Sequence, residues 1–215
     1  GIPHRVETRC PLPLISMAET MTTLQAAILA GGRSRRMGQD KSFLVLDGKP
    51  MIQHVIDQLR KLDLDVMLIT NAPSDYAVFG VPMFSDELPG SGSLGGLYTA
   101  LVKAEAAHVL CVACDMPYLN TTLLEWLVSQ RHGYDAVVPR TGDTTHSLHA
   151  VYAQSCRPLI LEQLEQRNLR ISDCLAALKV RYVAEDELRA YDPELRSLLN
   201  LNTPDDVSRA RSGNT

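Results

Sequence analysis

The stretch Leu29-Ala-Gly-Gly-Arg-Ser-Arg-Arg-Met-Gly-Gln-Asp-Lys41 decides how this chain is read. It follows an apolar segment, residues 24–28, that reads as a buried strand. Gly31 and Gly32 lack the Cβ atoms that would hold a ligand away from the backbone, so their N–H groups can point at phosphate oxygens as an anion-binding nest does. Arg33, Arg35, Arg36 and Lys41 add positive charge on mobile side chains. The loop therefore suits a polyphosphate. It is not a Walker A loop, because five residues separate Gly32 from Gly38, and Gln39 and Asp40 intervene before Lys41. The G-x-G-x-x-G of dinucleotide-binding folds is absent too. The plain alternative is a basic surface loop after a strand.

Outward from this loop the pattern alternates. Residues 50–62 place Ile52, Val55, Ile56, Leu59 and Leu62 on one helical face. Residues 66–70, 81–84 and 109–113 read as short strands, and residues 94–106 as a helix opened by a glycine-rich loop. Asn120 caps a helix that runs to about residue 130. Residues 136–139, 148–153 and 180–183 are further strands, and residues 157–166 and 171–178 further helices. Thr203 caps the last helix, with Pro204 at its first position. The alternation predicts an α/β fold, a Rossmann-like, largely parallel sheet with helices on both faces. Ligands of such sheets bind beyond the carboxyl ends of the strands, where the loop, Asn71, Asp86 and Asp115 all fall.

The chain has 215 residues, five cysteines and a net charge of −4. That length predicts one domain, residues 21–215, burying roughly 70% of its unfolded surface. The slight acidity offers no global field for nucleic acid, since the positive charge is local to the loop. No apolar run approaches the length needed to span a bilayer, which predicts a soluble protein without a membrane partner. The cysteines (10, 111, 114, 156 and 174) are odd in number and scattered, which points to reduced thiols and a cytoplasmic location. Cys111 and Cys114 form a C-x-x-C within an apolar strand pattern, where positions three apart face opposite sides, and core packing is the expected role. Residues 1–20 carry three prolines and no periodic pattern, and are expected to be a disordered tail or vector-derived sequence.

The loop resembles a nucleotidyltransferase signature, L-A-G-G-x-S-x-R-M-G-x-D-K. Leu29, Ala30, Gly31, Gly32, Ser34, Arg36, Met37, Gly38, Asp40 and Lys41 occupy every fixed position. Asp47-Gly-Lys-Pro-Met51, Ser85-Asp86-Glu87, Gly90-Ser-Gly-Ser-Leu-Gly-Gly96, Cys114-Asp-Met-Pro117, His146-Ser-Leu-His-Ala-Val-Tyr152 and Asn200-Leu-Asn-Thr-Pro204 follow in order. Together they resemble the molybdenum cofactor guanylyltransferases across roughly residues 24–210. Ser147 departs from the family, which usually has proline there.

The resemblance implies transfer of GMP from GTP to molybdopterin, or Mo-molybdopterin, with release of pyrophosphate. It implies that Leu29, Ala30, Gly31 and Gly32 meet the nucleotide, and that Asn71, Asp86, Asn200 and Asn202 reach the same site. Lys41 and Arg36 would offset charge on the phosphates. Asp115 ends a strand where a carboxylate either caps the turn or holds Mg²⁺, a hard cation that takes oxygen ligands. The C-D-x-P match implies the metal role. Asn200 and Asn202 are expected to alternate on a strand end, and His146 and His149 to line the side of the second substrate. Proteins that deliver molybdopterin or mature molybdoenzymes would be the protein partners. The alternatives are a molybdopterin cytidylyltransferase, another small-molecule nucleotidyltransferase, and a non-catalytic nucleotide-binding module. Cytidylyl relatives resemble L-A-A-G where this chain has Gly31, and intact Lys41 and Asp115 speak against a non-catalytic module.

Overall fold

The computed structural model describes residues 24–31 and 41–211. Gly32 and Arg36, with the rest of the loop at 32–40, lie outside the described residues, as does the tail at 1–20.

Strand β1 (Leu24–Leu29) is almost wholly buried, as its apolar run requires. It is central in a sheet with β2 (Val66–Ile69), β3 (Met83–Phe84), β4 (His108–Ala113), β5 (Ala136–Thr141), β6 (His149–Ala153) and β7 (Val180–Val183). The spatial order is β7-β5-β6-β4-β1-β2-β3, with Thr144–Thr145 added beside β5. β1 pairs in parallel with β2 and β4, β2 with β3, and β5 with β7. β6 is antiparallel to both its neighbours, β4 and β5. The sheet is thus largely parallel, with β6 and the short Thr144–Thr145 strand reversed.

Helix α1 (Met51–Arg60) buries Met51, Ile52, Val55, Ile56 and Leu59, the i, i+3/i+4 stripe of an amphipathic helix. Helices α2 (Gly92–Lys103), α3 (Thr121–Ser129), α4 (Arg157–Glu165), α5 (Ile171–Ala177), α6 (Glu185–Arg189) and α7 (Pro204–Arg211) complete the helical layers. One core unites residues of α1, α3 and α6 with one face of the sheet; a second unites α2, α4 and α5 with the other. The Asn120 side chain caps α3 by accepting from Leu123 N at 3.0 Å, a contact of a kind that contributes about 1 kcal/mol.

One local feature differs from expectation. β3 is shorter than residues 81–84, because Val81 and Pro82 precede the paired residues. Residues 47–51 carry the turn that leads into α1. Val45–Leu46 and Lys49–Pro50 form a small hairpin whose turn residues, Asp47 and Gly48, both have positive φ (49° and 80°). That is the I′ geometry in which an Asp-Gly pair is favoured.

The four cysteines among the described residues behave as packing residues. Cys111 is fully buried in one core, whereas Cys114 packs against the other, as their spacing on a strand predicts. Burial pushes the thiols of Cys156 and Cys174 up to about 12 and about 11, so both stay protonated.

His149, at the start of β6, is fully buried and neither ring nitrogen has a hydrogen-bond partner. It packs in the sheet and does not line a substrate surface. Half-buried His146, by contrast, bonds through Nε2 to Thr141 Oγ1 at 2.8 Å. Burial pushes His149 down to about 3, with His146 adding to the effect and Asp192 opposing it. Between the ordinary value of 6.5 and about 3, the unfolded chain therefore takes up a proton that the folded chain refuses. The stability this site contributes is full above pH 6.5 and is lost on acidification at up to about 1.4 kcal/mol per pH unit. His149→Leu is expected to flatten the fall in urea-unfolding stability between about pH 7 and about pH 5. An unchanged slope would show that His149 is not the group responsible.

Candidate active site

Register brings the strand ends to one level. Leu29 lies opposite Ile69 on one side and Ala113 on the other, and Ile69 opposite Phe84. Residues 30–31, 70–71, 85–86 and 114–115 therefore leave the sheet together. The chain winds from β1 to β2 and β3 on one side, then crosses to β4 on the other. β1 and β4 thus flank the point where strand order reverses, the place where open α/β sheets form a ligand crevice.

On the β2–β3 side, Asn71 and Asp86 clamp each other. Asn71 Nδ2 donates to Asp86 Oδ2 at 2.8 Å, and Asp86 N donates to Asn71 Oδ1 at 2.9 Å. The next residue is anchored as well: Glu87 N donates to the hydroxyl of buried Thr99, which in turn donates to Gly95 O, both at 2.9 Å. Thr99 went unsuspected in the sequence, where it is one polar residue on an apolar helix. Gly96 lets α2 lie close to the crevice. A Cβ there would come within 3.0 Å of the Leu29 side chain, and within 3.9 Å of Asp86 Oδ1. At Gly31 a Cβ would meet no described atom within 4 Å, so the backbone there faces open space.

On the β4 side stands Asp115. Its Oδ1 is buried and has no hydrogen-bond partner among the described residues, an unusual condition for a carboxylate oxygen. Burial pushes its pKa up, while Lys41 and its own backbone N–H pull it down. A buried acceptor with this imbalance fits a hard cation bound through oxygen. Among the described residues no cluster of three metal-ligating side chains exists.

Lys41 begins the turn Lys41–Phe43, and its Nζ donates to Asn202 Oδ1. Ser42, also unsuspected in the sequence, is fully buried, with its Oγ 2.9 Å from Tyr76 OH and 3.1 Å from Cys114 Sγ. Residues 200–203 return to the crevice, where Leu201 N donates to Asp115 O at 2.9 Å. They form no strand, contrary to expectation. The reason is local: Asp206 Oδ2 accepts from both Asn202 N and Thr203 N at 2.9 Å, and Thr203 Oγ1 accepts from Asp206 N at 3.1 Å. That reciprocal cap starts α7 and removes the amides a strand would use. Asn202 is thereby held at Lys41, while Asn200 is exposed.

Of the residues singled out in the sequence, Leu29, Ala30, Gly31, Asn71, Asp86, Asp115, Lys41 and Asn202 converge on this edge. The arrangement offers a flat backbone approach, one amine, and one buried, unpartnered carboxylate oxygen. Such a set suits binding and charge neutralisation of a metal-bound triphosphate.

Comparison with known proteins gives a consistent picture. Residues 26–180 match the family model of the MobA-like NTP transferase domain. A probable molybdenum cofactor guanylyltransferase from Pelotomaculum thermopropionicum is 36% identical over 191 residues, covering 89% of this chain and 93% of that protein. The molybdenum cofactor guanylyltransferase of Desulfosudis oleivorans is 33% identical, over 89% of this chain and 96% of that one. Molybdopterin-guanine dinucleotide biosynthesis protein A from Archaeoglobus fulgidus superposes with a TM-score of 0.78 at 30% identity, covering 87% of this chain and 97% of that structure.

Proposed function

Since the chain belongs to the MobA-like NTP transferase family, we propose that it acts as a molybdenum cofactor guanylyltransferase, moving GMP from GTP to molybdopterin or Mo-molybdopterin. A phosphate oxygen of the acceptor attacks the α-phosphorus of GTP. A new P–O bond forms, the bond to the bridging oxygen of the β-phosphate breaks, and pyrophosphate leaves with the electron pair. The observation that carries the reading is the meeting of Lys41 and the unpartnered Asp115 oxygen at the reversal point of the sheet.

There is little covalent work for the protein in such a step, so positioning and neutralisation dominate. Gly31 lets the triphosphate and base approach the backbone after β1, with Leu29 and Ala30 beside it; Gly32, outside the described residues, takes a phosphate-binding role by the family resemblance. Lys41, with Arg36, offsets charge on the α- and leaving phosphates. Asp115 would hold Mg²⁺, which would supply Lewis-acid neutralisation of the triphosphate. Asn71 fixes Asp86 for contact with the nucleoside, and Asn202 steadies Lys41. Asn200, which is exposed, contributes to nucleotide binding by the family resemblance. No helix among the described residues is long and apolar enough to cross a membrane. We place the reaction in the cytoplasm, where proteins that deliver molybdopterin and mature molybdoenzymes are its expected partners.

Base choice tests the reading. With Mg²⁺ and molybdopterin, the protein is expected to release pyrophosphate with GTP far faster than with CTP, and the product mass should show an added GMP. Guanine presents a carbonyl, an N–H and an amine that backbone groups at 29–31 can pair, and a wrong base leaves such groups unsatisfied. Gly31→Ala should weaken use of GTP more than of CTP. Because a Cβ there meets no described atom, the effect would report on the nucleotide rather than on folding. Equal kcat/KM for the two nucleotides would replace the guanylyl assignment with the cytidylyl one.

A further inference from the structure

We propose that Ser42 is a positioning residue for the transfer, its hydroxyl fastening the turn that carries Lys41 to the strand end that carries Asp115. The identity of the reaction rests on the guanylyltransferase reading; the contact geometry does not.

Ser42 has one hydroxyl proton. Its Oγ lies 2.9 Å from Tyr76 OH, a contact in which either hydroxyl can donate, and it donates to Cys114 Sγ at 3.1 Å. The three groups form a contiguous polar chain, buried at Tyr76 and Ser42 and half-buried at Cys114. Both ends are firm. Tyr76 is buried and its ring packs 5.0 Å from Phe43 and 6.2 Å from Phe79, centroid to centroid. Cys114 N donates to Leu29 O at 3.2 Å, which fixes it to the end of β1. Lys41 directly precedes Ser42 and Asp115 directly follows Cys114. The hydroxyl therefore joins the backbones of the two charged groups across the crevice. Lysine is a flexible point charge, so its reach to a phosphate depends on where its Cα is held. Misplacement of a reacting group by about 1 Å can lower a rate by about a hundredfold.

The test is a double-mutant cycle on kcat using wild type, Ser42→Ala, Lys41→Ala and the double variant. Ser42→Ala is expected to lower kcat about tenfold, with KM for GTP changed less than about twofold. In the Lys41→Ala background the same substitution should change kcat less than about twofold, because the group it positions is gone. A similar fold-loss in both backgrounds would overturn the proposal and leave Ser42 as a core hydroxyl. Leu44 N, which donates to Lys41 O at 3.0 Å, gives a readout independent of turnover. Its hydrogen exchange should quicken in Ser42→Ala, and unchanged exchange would count against the proposal. If wild type fails to use GTP, the guanylyltransferase reading falls while exchange at Leu44 still decides the role of Ser42. Should Ser42→Ala not fold, Cys114→Ala removes the sulfur that Ser42 donates to and enters the same cycle.

Discussion

Asp115→Asn is expected to lower kcat by about a thousandfold or more while leaving the fold intact. Asparagine keeps the shape but offers a neutral carbonyl where a metal-bound triphosphate needs an anionic ligand. The loss is one of charge neutralisation in the transition state, a contribution of several kcal/mol in metal-assisted phosphoryl chemistry. Stability should move the other way. The carboxylate is buried with one oxygen unpartnered, and burial already pushes its pKa up. Removing that charge from the nucleotide-free protein should leave the thermal midpoint unchanged or raise it. Pyrophosphate release at saturating Mg²⁺, measured beside thermal unfolding, checks both halves. Near-normal turnover would remove Asp115 from the metal role.

Lys41→Ala should lower kcat by about a hundredfold, with a smaller rise in KM for GTP. Negative charge on the leaving pyrophosphate grows as the bond to the α-phosphorus breaks, so a cation there is worth most in the transition state. The amine is already oriented by Asn202 Oδ1, which limits the freedom it must lose when the substrate arrives. A change confined to KM would assign Lys41 to uniform binding of donor and transition state instead.

Much of this architecture is legible in the sequence because each strand that carries the site is a short, mostly apolar run after which small or polar residues take over. Leu29, Ile69 and Ala113 mark three such ends, and the sheet aligns them. The caps at Asn120 and Thr203 were equally plain, since each is a small polar side chain that accepts an amide three residues on. The direction of β6 was not read, because an apolar run looks the same in either orientation. A signal was present all the same. Only a handful of residues separate β5 from β6, too few for the dozen or so that a parallel crossover needs. Ser42 and Thr99 were invisible for a different reason. A lone hydroxyl in an apolar neighbourhood gains meaning only from partners far along the chain, here Tyr76 and Cys114 for one and Glu87 for the other. The reciprocal bonds of Asn71 and Asp86 are likewise a tertiary fact, although both residues were singled out individually.

The bond from Leu201 to Asp115 and the contact between Asn202 and Lys41 have a consequence for the order in which the protein becomes competent. Synthesis runs from the amino end, and the central strands can pair as soon as β4 has emerged. The nucleotide edge of the crevice could thus be built on the ribosome while the residue that steadies its lysine is still unmade. Only when the segment past residue 200 has been translated and has doubled back across the sheet is the constellation complete. A nascent chain would then hold a folded core before it turns over substrate, and competence would follow only once the segment past residue 200 has joined the crevice.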